Sequence, residues 1–308
     1  MIRKEYTSII PFLNGANDMV LICKLKRRLS AFIARIGYKS LLFILTPYGI
    51  LNYIINAKRI FKCPMSLITN LFNPLWVLVF STLVVRRIKM KTEEYFWCES
   101  LLNRLRFIAP DWSSLYIYFH IWLANDYEKI VKPMGKVVVD VGAHIGLFTL
   151  RVITTYRSNL VIAIEPNPKN LNLLYANILL NGVKDRVRVI KACAGRSKGK
   201  KRLFLHEESG RSSILPLSSN YITVDEVRLD EELNGIKIDF VKIDVDGGEL
   251  EVIDGLRNKI KEDRPILVIE VSKQNLASIL DYFERLGYKA RFTAYGKENF
   301  HITALPLI

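Results

Sequence analysis

The chain has 308 residues, half of them hydrophobic, which is enough to bury a full core and excludes a disordered or fibrous protein. Its net charge of +15 is uneven: residues 1–91 carry 15 Lys or Arg against Glu5 and Asp18, leaving the remainder close to balanced. The four cysteines and four histidines are scattered without paired ligand spacing, so neither a disulfide framework nor a structural metal is expected.

The chain begins MIRKEYTSIIPFLNG, which lacks the continuous apolar stretch and small-residue cleavage site of a signal peptide. In KLKRRLSAFIARIGYK, Leu25, Leu29, Phe32, Ile33 and Ile36 share one helical face and Lys24, Lys26, Arg27, Arg28 and Arg35 surround it, the layout of an interfacial amphipathic helix. Two uncharged stretches follow, residues 40–57 and 63–85, each near bilayer length. Pro47, Gly49, Asn70, Asn73 and Pro74 interrupt them. The connector with Lys58, Arg59 and Lys62 would have to lie on the far side of a membrane hairpin, against the positive-inside tendency. Helices lying on an acidic membrane surface fit best; packing on the rest of the protein and true spanning are the alternatives.

Residues 84–95 partly alternate and read as a strand, and residues 92–135 as a cap or linker. The cap is rich in aromatics, Tyr116, Tyr118, Phe119, Trp122 and Tyr127, which suit core packing more often than a substrate wall.

From residue 136 to 308 the pattern is α/β. Val137–Val141 reads as a buried parallel strand, followed by a glycine turn and a helix from about Ile145. Gly142 and Gly146 allow a sharp turn and close backbone approach. The pyrophosphate-binding run G-x-G-x-x-G is absent, because His144 occupies its second glycine position, so the loop suits a ligand without phosphates such as S-adenosylmethionine. Glu165 ends the second strand, where a carboxylate can accept both ribose hydroxyls, and Asp140 ends the first, suited to the cofactor's amino group or the loop backbone. Residues 168–180 form an amphipathic helix closed by Asn181 and Gly182. The next strand runs to about Ala192, with Cys193 and Ala194 leaving its edge beside an adenine. Two further strands end at Asp244 and Glu270. Ligands bind beyond the carboxyl ends of such strands, so Asp244, Asp246, Glu249 and Glu270 are the acid/base candidates. A helix and two alternating segments joined near Gly296 and Lys297 complete a terminal antiparallel hairpin.

The segments DVGAHIGLFTL, AIEPNPKNLNLLYANILLNG, GRSSI and IDFVKIDVDGGELEVIDGL together resemble the FkbM methyltransferase family over roughly residues 125–308. The resemblance implies a Rossmann-like class I methyltransferase sheet, mostly parallel, and methyl transfer from S-adenosylmethionine to an oxygen, often a sugar or polyketide hydroxyl. Carried onto this chain it implies Asp140, Gly142, Ala143, His144, Gly146 and Glu165 at the cofactor, and Lys242, Asp244, Asp246 and Glu249 in the later element. Asn167, Cys193 and Ala194 join the cofactor set from the residue reading. Asp246 stands where glutamate is usual and Gly248 where alanine is usual.

The expectation is a cytoplasmic O-methyltransferase, peripheral at the membrane, acting on a hydroxyl of a sugar, glycan or glycolipid. A nucleic-acid methyltransferase is disfavoured by the lack of an N-P-P-Y-type element and by the long apolar stretches between the positive charges. A nicotinamide-dependent oxidoreductase is disfavoured by the loop and by the terminal hairpin, and a non-catalytic cofactor-binding interaction module is the third alternative. The membrane expectation predicts that the full chain co-floats with acidic liposomes and that a chain lacking residues 1–91 does not; equal flotation of both would remove its basis.

Overall fold

The structure, a computed structural model, describes residues 83–90, 93–206, 209, 213–216, 219–295 and 299–307. The amphipathic segment, the first uncharged stretch and most of the second lie outside the described residues. Residues 83–90 form a strand, where a strand over residues 84–95 was expected. Among the described residues no helix is long and apolar enough to cross a membrane.

Val84–Ile308 form one compact unit. It opens with a three-stranded sheet of β1 (Leu83–Met90), β2 (Glu93–Ser100) and β3 (Arg106–Ala109). Helix α1 (Trp112–Tyr118) runs directly into a π-helical turn, Phe119–Leu123. The α/β part then alternates: β4 (Val137–Val141), α2 (Leu147–Thr155), β5 (Leu160–Ile164), α3 (Pro168–Leu180) and β6 (Val187–Ile190). A small sheet of β7 (Cys193–Ala194), β8 (Gly199–Phe204) and β9 (Tyr221–Val227) is inserted before α4 (Leu229–Glu232) and β10 (Phe240–Ile243). Helices α5 (Glu249–Gly255) and α6 (Arg257–Asp263), β11 (Ile266–Ser272), α7 (Lys273–Arg285), β12 (Tyr288–Tyr295) and β13 (Asn299–Pro306) finish the unit.

The main sheet has the order β12-β13-β11-β10-β4-β5-β6. Strands β6, β5, β4, β10 and β11 are parallel, and β13 inserts antiparallel between β11 and β12. This is the class I methyltransferase arrangement. The chain moves outward from β4 to β6 and then returns to the other side of β4, so a topological switch point, where ligands of open α/β sheets bind, falls between β4 and β10.

Strand alternation sorts the central residues onto two faces. Val139, Val141, Ile162, Ile164, Val241, Ile243, Leu267 and Ile269 enter one apolar cluster with Val252, Ile253, Ile279 and Phe283. Asp140 and Lys242 have the opposite parity and lie side by side, because the parallel register pairs their positions.

Two asparagines one turn apart, Asn177 of α3 and Asn181 at its carboxyl-terminal cap, attach the first sheet. Asn177 is fully buried; its Oδ1 accepts from the Ile108 amide at 2.7 Å while its Nδ2 donates to the carbonyls of Ile108 and Ile145. Asn181 repeats the pattern on the Arg106 amide and carbonyl at 3.1 and 2.6 Å. Two side-chain amides thus stand in for a neighbouring strand along β3. Asn177→Ala strands buried backbone groups and should cost about 2–3 kcal/mol in denaturant unfolding, whereas the more exposed Asn181→Ala should cost less than about 1 kcal/mol.

Candidate active site

The turn after β4 is built on positive φ. Gly142 has φ 77°, His144 53° and Gly146 88°; a Cβ on Gly142 would sit 1.9 Å from the Asp244 carbonyl, and one on Gly146 2.5 Å from Leu174 Cδ1. Glycine is therefore required at both places. Because Gly146 caps α2 in the left-handed conformation, the helix begins at Leu147 and not at Ile145.

Glu165 receives this turn. Its Oε2 accepts from the His144 amide at 2.8 Å, and its Oε1 accepts from the Asn167 amide at 2.9 Å and from Asn170 Nδ2 at 3.3 Å. Burial raises the carboxyl's pKa and these donors only partly offset it. A carboxylate offers about four acceptor positions, so capacity remains on Oε2 for a hydroxyl.

Lys242 is buried between the strand ends. Its ammonium lies 3.2 Å from Asp140 Oδ1, 3.1 Å from Asp244 Oδ2 and 2.9 Å from the Gly142 carbonyl, above the Phe148 ring. Burial alone would lower its pKa, but the two carboxylates outweigh it and hold the group charged.

A cavity of about 540 Å³ opens over these elements, within the range of small-molecule sites. Of the residues expected from sequence, Gly142, Ala143, His144, Glu165, Cys193, Ala194, Asp244, Asp246 and Glu270 line it. Four others stand behind its wall. Asp140 is fully buried, accepting from Thr149 Oγ1 at 2.7 Å and facing Lys242, so it braces the lysine and α2. Gly146 caps α2, and Asn167 caps α3 by accepting from the Lys169 amide. Glu249 accepts from the Gly247 amide and Asn275 Nδ2 at 2.8 and 2.9 Å, which makes it a brace between a loop and α7. Glu270 is reached, but β11 continues past it to Ser272.

The cap supplies walls through Tyr116 and Tyr127 of the aromatic stretch and through His120 and Asp126, which sequence reading did not assign; His301 of β13, also unassigned, joins them. Tyr118, Phe119, Trp122 and Tyr127 are buried, so the aromatic stretch is mainly core, with Tyr116 and Tyr127 reaching the cavity. The available signal was a histidine and an aspartate six apart within that stretch. Ser209 also closes on the site: its amide donates to Asp111 Oδ2, its carbonyl accepts from Asn170 Nδ2, and its hydroxyl meets His144 Nε2 at 2.8 Å.

The donor set fits S-adenosylmethionine: a phosphate-free glycine turn, a buried carboxylate with acceptor capacity, and small residues, Ala192, Cys193 and Ala194, where the β6 end meets the cavity. Burial pushes the Cys193 thiol up to about 12, so it stays protonated. Among the described residues no group of three His, Cys, Asp or Glu side chains is placed to hold a metal ion.

Residues 140–290 match the family model described as the methyltransferase FkbM domain. The chain is similar to Methyltransferase sdnD of Sordaria araneosa, 28% identical over 176 residues that cover 46% of this chain and 68% of that protein. It is also similar to Methyltransferase 1 of Beauveria bassiana (strain ARSEF 2860), 24% identical over 200 residues, 56% of this chain and 80% of that one. Among solved structures, methyltransferase FkbM from Methylobacillus flagellatus KT aligns with a TM-score of 0.45 at 17% identity, covering 84% of this chain and 62% of that chain.

Burial pushes the His144 imidazole down to about 4, and neighbouring Lys242 acts in the same direction, against Asp111 and Asp244. The folded pKa thus lies below the unfolded value, and protons bind the unfolded chain first. Stability should be full above about pH 6.5 and fall as pH drops towards about 4, by at most about 3 kcal/mol. Denaturant unfolding at a series of pH values checks this. His144→Asn, which tolerates positive φ, should remove that part of the slope.

Proposed function

We propose that this chain, whose residues 140–290 belong to the FkbM methyltransferase family, transfers the methyl group of S-adenosylmethionine to a hydroxyl of a sugar, glycan or glycolipid. The chain is an S-adenosylmethionine-dependent methyltransferase; the choice of acceptor is the inference. One observation carries it: beyond the cofactor turn the same cavity is lined by Asp126, Asp246, Glu270 and His301, with Tyr116 and Tyr127 among them. Carboxylates and imidazoles pair with adjacent hydroxyls, and aromatic faces pack on the apolar face of a sugar ring.

When bound, the cofactor supplies an electrophilic methyl group. The protein's task is to hold an acceptor oxygen in line with it and to remove a proton. Asp244 and Asp246 both reach the cavity at the end of β10. Asp244 is paired with the Lys242 ammonium, which makes it a poor base and a better anchor, whereas Asp246 orients the acceptor. The basic first third supports presentation of the acceptor at an acidic membrane surface, as a lipid-linked sugar or glycan precursor.

Calorimetric titration of the full chain with S-adenosylmethionine, followed by radiolabelled methyl transfer to glycan and glycolipid acceptors, tests the reading. Binding should weaken at least tenfold in Glu165→Gln, whose amide turns a donor towards the His144 or Asn167 amide. Transfer to nucleic acid with none to hydroxyl acceptors would overturn the acceptor assignment.

A further inference from the structure

One aromatic ring of the cap differs from its neighbours. Tyr118, Phe119, Trp122 and Tyr127 are at most 7% exposed, whereas Tyr116 is 45% exposed and lines the catalytic cavity. An exposed tyrosine on an outer surface is ordinary, but one on a cavity wall is a contact surface for whatever enters. Helical spacing puts it there. Ser113, Tyr116, Ile117, His120 and Ile121 recur at i, i+3, i+4, i+7 and i+8 along α1 and the π-helical turn, and all of them line the cavity, so one face of this segment forms a wall of the site.

The segment that carries the ring is tied down at both ends. At its amino end Asp111 Oδ1 accepts from the Ser114 amide at 3.0 Å and Asp111 Oδ2 from the Ser209 amide at 2.8 Å, while Ser209 Oγ meets His144 Nε2 of the cofactor turn. At its carboxyl end Trp122 Nε1 donates to the Leu147 carbonyl at 3.1 Å, the Arg151 guanidinium covers the Trp122 ring, and the Tyr127 ring lies 5.5 Å from the His301 imidazole of β13. Tyr116 therefore stands between a contact with the cofactor turn and a contact with the β13 side of the cavity. His120 packs against its ring at 4.2 Å, tilted by 58°, and is itself bonded through Nδ1 to Asp126, which Asn125 at φ 54° brings alongside. A ring braced by a fixed imidazole on an anchored helix loses little freedom when a ligand packs on it.

We propose that Tyr116 is the platform on which the acceptor packs, and that it makes the enzyme select cyclic acceptors of the hexopyranose type over open-chain polyols. This rests on the hydroxyl-methylation reading above. A phenol ring presents a flat apolar face with partial negative charge. A pyranose directs C–H groups to its faces and equatorial hydroxyls to its edge, so it stacks on Tyr116 while its edge hydroxyls meet Asp126, Asp246 and Glu270 on the same cavity. An alditol carries the same hydroxyls on a chain with no flat C–H face, and it must give up several free torsions to bind. Tyr127 does not take this role: it is 7% exposed, and its ring meets Phe148 edge-on at 5.0 Å. Stacking acts on the ground state and the transition state alike, so its signature is KM and not kcat.

The test uses the full chain, Tyr116→Ala and Tyr116→Phe, with methyl hexopyranosides and six-carbon alditols as acceptor probes. In the parent, kcat/KM for hexopyranosides should exceed that for alditols about tenfold or more. Tyr116→Ala should raise the hexopyranoside KM about tenfold with kcat within about threefold, and should erase the preference for rings. Its affinity for S-adenosylhomocysteine should stay within about twofold of the parent, which also shows that it folds, and Tyr116→Phe, which keeps the ring, should restore KM to within about threefold. An unchanged KM in Tyr116→Ala, or a ring preference that survives it, would overturn the proposal. So would an equal loss of S-adenosylhomocysteine affinity, which would assign the ring to the cofactor. Equal use of alditols and hexopyranosides by the parent would end ring selection and leave hydroxyl methylation standing. Calorimetry of hexopyranoside binding to the S-adenosylhomocysteine complex gives a readout apart from turnover. A parent that binds hexopyranosides about tenfold more tightly than Tyr116→Ala but methylates none would strike the hydroxyl-methylation reading and support the platform. A parent that neither binds nor methylates them would overturn both.

Discussion

One buried ammonium organises the switch point. Lys242 of β10 draws Asp140 of β4, Asp244 just after β10 and the Gly142 carbonyl onto a single nitrogen, and the ties to Asp140 and Gly142 cross from one strand end to the next. A buried charge of this kind is costly unless fully paired, and removing one partner typically costs several kcal/mol because it strands the other. The arrangement also sets the sign of the field. Two carboxylates face one ammonium, His144 is held neutral by its surroundings and Cys193 stays a thiol. The site is thus left with excess negative charge beside the glycine turn, the environment a bound sulfonium favours.

The cap and the sheet share a common set of polar ties. Asn177 and Asn181 hold β3, Arg151 holds the turn after α1, and Asp111 caps α1 while accepting from the Ser209 amide. Ser209 in turn meets His144 and Asn170, so the start of α1 and the cofactor turn are linked through one residue. Each wall of the cavity is therefore anchored to an element that also positions the cofactor residues. A shift of the cap would change the acceptor side and the His144 environment together.

The elements legible in the sequence were those with an unbroken physical signal. Val137–Val141 is a continuous apolar run ending in glycine, and Pro168, Asn181 and Gly182 mark both ends of α3. The terminal hairpin shows its alternation directly, although its insertion order, β13 between β11 and β12, is a property of the sheet and not of either segment. The small sheet was missed because its strands are rich in charge: in β8 only Leu203 is buried, and in β9 only Val224. For single side chains, spacing located the strand ends but not which way a side chain faces. Asp140 and Asp244 both stand at strand ends beside the same lysine, yet one is sealed and the other is only half-buried. Lys242 itself is visible as the K of K-I-D, but its role follows only from the register that sets it against Asp140. The His120–Asp126 pair was hidden because no periodic pattern signals a π-turn followed by a left-handed asparagine.

Charge on the cavity wall bears on which acceptors fit. Among the described residues that line it, Lys242 is the single Lys or Arg, and its charge is already met by Asp140 and Asp244. Asp126, Asp246 and Glu270 add negative charge around the space beyond the cofactor turn. A phosphate at the reacting position would meet carboxylates without a cation to answer it, whereas a neutral polyol would find acceptors for its hydroxyl protons. The excess positive charge of the chain lies in residues 1–91, separate in sequence from every residue of the cavity. Because the cavity's one cation among the described residues is already paired, transfer to a short neutral acceptor should be nearly insensitive to ionic strength.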